Sequence, residues 1–302
     1  MFSNHIGEFI ALLTAICWTF TALAFESAGK KVGSLPVNII RLSIAFFLLS
    51  IYTYLSRGLF FPSDAGLHLW LWLSLSGFIG FVIGDLFLFR SYLIIGARIS
   101  MLVMSLVPPL TALIGWILMG EILSTKSSLG MLVTISGVTI VILQKKKNTE
   151  GNNSKMKISY PLKGLLFAFG GALGQAIGLV LSKYGMGNYN AFAATQIRVI
   201  TGIIGFIVIV TLLKRWVNIK NAIKNKEGML RIFIGSIFGP FLGVSFSLLA
   251  VQYTTTGVAS TIMAIVPVLI IVPSVLIFKE KPTWKEILGA FIAVSGVGVL
   301  FL

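Results

Sequence analysis

Charge is what this 302-residue chain has least of: 11% of its residues are charged, while 57% are hydrophobic. A water-soluble domain carries about 25% charged residues, so this composition excludes a surface that faces water all round. Acids are scarcer still, nine against 24 Lys and Arg, giving a net charge of +15. In a soluble protein that excess would suggest nucleic acid. Here the basic residues lie between apolar runs, so they read as orientation signals in a membrane and no nucleic-acid partner is expected. One cysteine, Cys17, excludes an internal disulfide. The only histidines are His5 and His68, both at the edges of apolar runs. No His-Glu-x-x-His zinc motif, Gly-x-Ser-x-Gly elbow or Gly-x-x-x-x-Gly-Lys-Ser/Thr phosphate loop occurs, and no pair of acids lies within the apolar runs. Metal, cofactor and ATP-driven pumping within this chain are therefore not expected. The first apolar run lacks a basic flank before it and a small-residue cleavage site after Phe25–Glu26, so no cleavable leader is expected.

What the chain has is long apolar runs. Crossing the hydrocarbon core takes about 20 mostly apolar residues as a helix, and backbone in lipid must satisfy its own hydrogen bonds. Ten runs qualify: 6–25, 35–55, 69–89, 99–119 and 127–143, then 161–181, 191–213, 229–253, 258–278 and 284–302. They are uniformly apolar, which excludes the alternating strands of ~10 residues of a closed β-barrel. Between the fifth and sixth runs lies a polar linker, 144–160, with three lysines at 145–147. The expected organisation is a five-helix unit over 1–143, the linker 144–160, and a second five-helix unit over 161–302: an all-α integral membrane protein of ten transmembrane helices.

The halves repeat one pattern. At a shift of 157, Gly7, Ala11, Ala15 and Arg41 fall on Gly164, Ala168, Ala172 and Arg198. At 159, Gly80, Gly84, Phe87, Met104, Pro108, Glu121 and Gly130 fall on Gly239, Gly243, Phe246, Met263, Pro267, Glu280 and Gly289. The change of shift falls in the loop between the second and third runs, where insertions are tolerated. Five helices per unit make the second unit enter the membrane inverted. Inverted repeats are the architecture of many secondary transporters, whose substrates bind near the midplane between the repeats. Two such halves supply the two arrangements that alternating access requires. The plainer alternative is a duplication that serves packing alone.

The ends of the fourth and fifth runs read Pro108…Gly120-Glu121…Gly130…Ser136-Gly137-Val138, and those of the ninth and tenth Pro267…Lys279-Glu280…Thr283…Gly289…Ser295-Gly296-Val297. With Ala250-Val-Gln-Tyr253 ahead of the second set, this resembles the EamA domain of the drug/metabolite transporter superfamily, present twice. The resemblance implies a ten-helix basket that moves small metabolites, such as amino acids or other polar organic molecules, commonly outward. Two departures stand out: Trp18 has Gln175 as its repeat mate, and Lys279 precedes Glu280 where Gly120 precedes Glu121.

Nineteen Lys and Arg residues fall after odd-numbered runs and three after even-numbered ones. The positive-inside rule places the odd loops in the cytoplasm and both termini outside, in the cell (inner) membrane of a bacterial type of cell. The basic loop from Lys214 to Arg231 is a topology signal or a contact for anionic lipid heads.

A charge within the bilayer costs at least ~2.5–3.5 kcal/mol at a helix centre, so those inside runs are the candidates for substrate binding and coupling. Asp85, whose repeat mate is Val244, is read either as a site for a cation or a coupling proton, or as a carboxylate paired with Arg90. Arg41 and Arg198 either hold a substrate carboxylate or snorkel to the head groups. Glu26 is placed in water at the end of the first run. Gln175, Asn38, Gln196, Tyr253 and Trp18 are the further polar or aromatic candidates for a cavity wall. Pro108 and Pro267 mark kinks that either free backbone carbonyls to line it or serve packing alone. Glycines stepping by four, as in Gly170-Gly174-Gly178, are read as helix contacts. The expectation is a secondary transporter, an exporter, with a small-molecule substrate, lipid around it and protons as a candidate coupling ion. A facilitative channel or exchanger and an intramembrane enzyme are the alternatives; the oligomeric state is open.

Overall fold

The structure is a computed structural model that describes residues 5–119, 125–145, 156–254 and 256–301. Glu121 and most of the linker lie outside the described residues. Apart from a two-stranded antiparallel ribbon, β1 (Leu143–Lys145) on β2 (Met156–Ile158), the described chain is helical. The first half comprises α1 (Ile6–Val32), α2 (Ser34–Arg57), α3 (Leu67–Gly77), a π segment (Phe78–Gly84), α4 (Asp85–Met104), α5 (Val107–Met119) and α6 (Thr125–Ile142). The second comprises α7 (Leu162–Met186), α8 (Ala191–Leu212), the short basic α9 (Trp216–Lys224), α10 (Lys226–Ser236), a π segment (Ile237–Gly243) and α11 (Val244–Tyr253), followed by α12 (Thr256–Met263), α13 (Val266–Leu269), α14 (Ile271–Phe278) and α15 (Trp284–Phe301).

Among the described residues, six helical stretches are long and apolar enough to cross a membrane: 6–32, 34–57, 67–104, 162–186, 191–212 and 226–253. Two of the other four apolar runs, the fourth and the ninth, are interrupted, and the reason is local. The fourth run breaks at Ser105–Leu106 and restarts at Val107, so Pro108 and Pro109 fall in a first turn whose N–H groups have no intrahelical acceptor anyway. The ninth run does the same at Ala264–Ile265, with Pro267 opening α13. It breaks again at Ile270, just before Pro273, whose ring removes one more helical donor. Pro108 and Pro267 thus stand at full breaks in the helix, a stronger effect than a kink.

Regularity between the halves extends to backbone detail. The π segments 78–84 and 237–243, and the breaks 105–106 and 264–265, are both related by the 159-residue shift. Packing is related the same way: α1 lies against α10, its π segment and α11, as α7 lies against α3, its π segment and α4. The pairs α2 with α8 and α6 with α15 join equivalent elements. Close approach is made by glycine. A Cβ at Gly174 would stand 2.6 Å from the Gly84 Cα, and one at Gly178 would stand 3.1 Å from the Gly80 Cα. These are the small-residue contacts by which helices associate in lipid.

Caps fix the element starts. Asn190 Oδ1 accepts the N–H groups of Phe192 and Ala193, each at 3.1 Å, at the head of α8. Thr283 and Glu286 form a reciprocal capping box on α15, with the Thr283 N–H donating to Glu286 Oε2 at 2.8 Å. Outward faces carry exposed side chains such as Leu55, Leu71, Ile117 and Leu212. An exterior with so many exposed apolar side chains is rare for a monomer in water and suits a lipid surround.

Polar contacts sort the loops into two ends. At one end Glu26 and Lys30 of α1, Ala97 and Arg98 beyond the Gly96 turn, Tyr160, Glu280 and Glu286 meet. At the other, Arg57, Asp64, Tyr189 and Gln252 meet. The first set follows odd-numbered runs and the second follows even-numbered ones.

Candidate substrate cavity

Between the halves lies a cavity of about 140 Å³, some tenfold more than the ~10–15 Å³ that one water needs. Its wall joins residues of α1, α2, α4, α7, α8 and both proline breaks. Of the residues expected there, Asp85, Arg41, Arg198, Gln175, Trp18, Pro108 and Pro267 line it.

Asp85 opens α4 at the end of the first π segment and is 4% exposed. Its Oδ2 accepts from Arg41 Nη2, and its Oδ1 accepts from Gln175 Nε2 at 2.9 Å. Arg90, the partner expected from sequence, is not involved. Residues five apart on a helix point about 140° apart and do not face each other, and Arg90 instead lies over the Phe167 ring at 5.9 Å.

Arg41 is 3% exposed, so the snorkelling reading fails. Its Nε and Nη2 both donate to Asn38 Oδ1, at 3.2 and 3.1 Å, one turn earlier on α2. Its guanidinium sits over Phe89 at 4.6 Å, with Phe25 and Phe81 at 5.5 and 5.7 Å. Those aromatic faces replace part of the hydration that burial removes. Asn38 stands behind the wall: its Nδ2 donates to the Ser34 and Asp85 carbonyls at 3.2 and 3.5 Å. It therefore positions Arg41 without facing the cavity.

Arg198 is also 3% exposed, with its guanidinium 4.8 Å from the Phe81 ring. Unlike Arg41, it makes no hydrogen bond or ion pair among the described residues, and its Nε has no acceptor.

Gln196 and Tyr253 lie elsewhere. Gln196 is buried and donates to Ser50 Oγ at 2.8 Å and the Phe60 carbonyl at 2.9 Å, tying α8 to α2 and the loop beyond it. Tyr253, at the end of α11, is 62% exposed.

Two acids have partners that the sequence did not disclose. Glu26 is 1% exposed, not in water. The apolar run ends at Phe25 but α1 continues to Val32, which carries Glu26 into the fold. There it accepts the Ala97 N–H at 2.9 Å and pairs with Lys30 at 2.6 Å. Glu286 pairs with Arg98 at 2.6 Å and accepts from the Tyr160 hydroxyl. Its one sequence signal is the Thr-x-x-Glu spacing of the capping box. Burial, with Glu286 as acceptor, pushes the Tyr160 hydroxyl above the usual phenol range.

A cavity between two repeat-related halves of a multi-pass, lipid-facing helical protein is an architecture found in membrane transporters. The EamA-like transporter family matches the chain twice, over residues 5–143 and 162–302, and the chain belongs to that family. One solved crystal structure is similar over 98% of this chain and 96% of its own, with a TM-score of 0.63 and 18% identity, which speaks for the fold alone. No curated protein matches the sequence.

Proposed function

We propose that this chain is a secondary transporter of a small organic metabolite, working by alternating access between two inverted five-helix repeats. The carrying observation is that the cavity is walled by elements in repeat-related pairs: both proline breaks and Arg41 with Arg198. Such a wall offers two equivalent arrangements, one open to each side. Ten crossings are supported by the sorting of contacts, since loops after odd runs meet at one end and loops after even runs at the other. On the positive-inside rule the odd end, where the basic residues gather, is cytoplasmic and the termini are outside.

Arg98 closes the odd end by pairing with Glu280 at 2.9 Å and Glu286 at 2.6 Å. Arg57, Asp64 and Tyr189 tie the opposite end. We assign export as the direction, on family resemblance. Asp85 is the acid among the cavity's lining residues, so proton coupling runs through it in this reading, each proton exchanging with the Arg41 pair.

The test is counterflow in liposomes holding the purified protein and a pH-sensitive dye, against a panel of amino acids and small organic acids. Saturable counterflow is expected, with a pH change that Asp85→Asn abolishes. Flux that rises linearly without counterflow would mean a channel, and chemical conversion of the added compound would mean an enzyme. Counterflow without a pH change would keep the carrier and remove the proton.

A further inference from the structure

The second half of the cavity keeps the cation and has lost its counterion. Arg41 has three polar neighbours: Asn38, Asp85 and, through Asp85, Gln175. Carried to the second half by the same shifts, those positions hold Thr195, Val244 and Trp18. Thr195 turns its hydroxyl back to the Ala191 carbonyl at 2.8 Å, while Val244 and Trp18 line the cavity. Every group that neutralises or orients Arg41 is thus apolar, or bonded elsewhere, around Arg198.

An arginine does not shed its proton in a protein, and a buried charge is retained only when paired. Arg198 lines the cavity, is nine-tenths buried, has an Nε without an acceptor and makes no hydrogen bond or ion pair among the described residues; Asp85 acts on it through space, but both Asp85 oxygens are taken by Arg41 and Gln175. No acid among the described residues is left to pair with it, which leaves a bound anion as its counterion. Arg41, Asp85 and Arg198 together leave one positive charge on the wall, which one negative charge balances. A guanidinium fork suits a carboxylate, which it holds through two parallel hydrogen bonds. The rest of the lining is rich in aromatic rings and sulfur, with Trp18, Phe25, Phe89, Met104 and Met263. An ammonium group finds no free acid there, since both Asp85 oxygens are engaged.

We propose that Arg198 anchors the transported molecule, and that the substrate is an amphipathic organic monoanion, one carboxylate on an apolar or aromatic body. Zwitterionic amino acids and cations are disfavoured by the same wall. This substrate class rests on the transporter reading.

Binding is measured by calorimetry on the purified protein in low-chloride buffer with phenylacetate, its neutral isostere phenylacetamide, phenylalanine and phenethylammonium, and with hexanoate as an aliphatic acid. One of the two acids should bind at least about 10-fold tighter than the other three compounds, the size of a charge-assisted pair. Arg198→Gln should cut that advantage below about 2-fold, and Arg198→Lys should keep part of it. Equal affinity for acid and amide, tighter binding of phenylalanine or phenethylammonium, no binding of either acid, or acid binding unchanged in Arg198→Gln would each overturn the proposal. If the glutamine variant does not fold, the wild-type series still decides. Counterflow of the neutral or cationic compounds would keep the transporter and sink the anion site; acid-selective binding without counterflow would do the reverse.

Discussion

Replacing Asp85 by asparagine removes one charge from a buried pair and leaves the other. Arg41 and Asp85 side chains are 4% and 5% exposed, so water does not compensate. Removing one member of such a pair costs about 3–5 kcal/mol, most of it the penalty of the charge left behind. The asparagine still offers Gln175 an acceptor, which limits the loss to the Arg41 side. At roughly 2–4 °C per kcal/mol for a chain of this order of size, the melting temperature in detergent should fall by about 10 °C. The double variant Asp85→Asn with Arg41→Gln removes the stranded charge as well. It should recover at least half of the loss, giving a coupling energy above about 1.5 kcal/mol in the cycle. An additive double variant, or an Asp85→Asn protein that melts within 2 °C of wild type on that same scale, would show that the pair does not hold the cavity wall together.

Gly174→Ala puts a methyl 2.6 Å from the Gly84 Cα, where backbone must give way, and should cost about 1–3 kcal/mol; Gly298→Ala, with open space around it, is the control and should melt like wild type. Arg98→Ala removes the two ion pairs that close one end in the proposed cycle. A Ser105→Cys thiol in the cavity should then react with a soluble maleimide at least about 5-fold faster, as losing ~1–3 kcal/mol of closure implies, and an unchanged rate would remove the gate from Arg98. At the other end, desolvation raises the Asp64 carboxyl, but the Tyr189 hydroxyl and Arg57 outweigh it and hold Asp64 below the usual carboxylate range. A lowered folded-state value stabilises above the unfolded pKa, about 3.9. The melting advantage of wild type over Asp64→Asn should therefore be full at pH 6 and fade as the pH falls below about 4. An advantage that grows on acidification would reverse the sign of the argument.

Much of this was readable from composition and spacing. Apolar runs of about 20 residues located the helices, because lipid leaves the backbone no other partner than itself. Arg41 with Arg198 and Pro108 with Pro267 located the repeat, because rare residues at equal spacing are poorly explained by chance. What sequence could not supply was depth and facing. Glu26 follows the last apolar residue of its run, yet α1 continues to Val32, so the acid lies inside the fold. Arg41 sits early in α2, and its contacts with Asp85 and with the rings of Phe25, Phe81 and Phe89, from other segments, turn it inward. Asp85 has Arg90 five residues away, but its partners Arg41 and Gln175 are 44 and 90 residues distant. Gln196 and Tyr253 are polar for reasons of tethering and exposure, which hydropathy does not separate from a cavity role.

Symmetry accounts for the backbone of the cavity wall, and its breaking accounts for the selectivity proposed for Arg198. The π segments and proline breaks recur in both halves because each half must open the same wall, and a helix with free carbonyls and a wide turn does so without a lipid-exposed polar backbone. Side chains need not obey that constraint. Asp85 against Val244 leaves one half neutralised and the other cationic, with Trp18 standing where symmetry would put the amide that supports the acid. Restoring symmetry should therefore erase selectivity while leaving the backbone device intact. Val244→Asp would give Arg198 an internal counterion, and a protein that still melts as wild type but no longer prefers an acid to its amide would separate the two contributions. Retained preference in Val244→Asp would show that the charge on Arg198 does not choose the substrate.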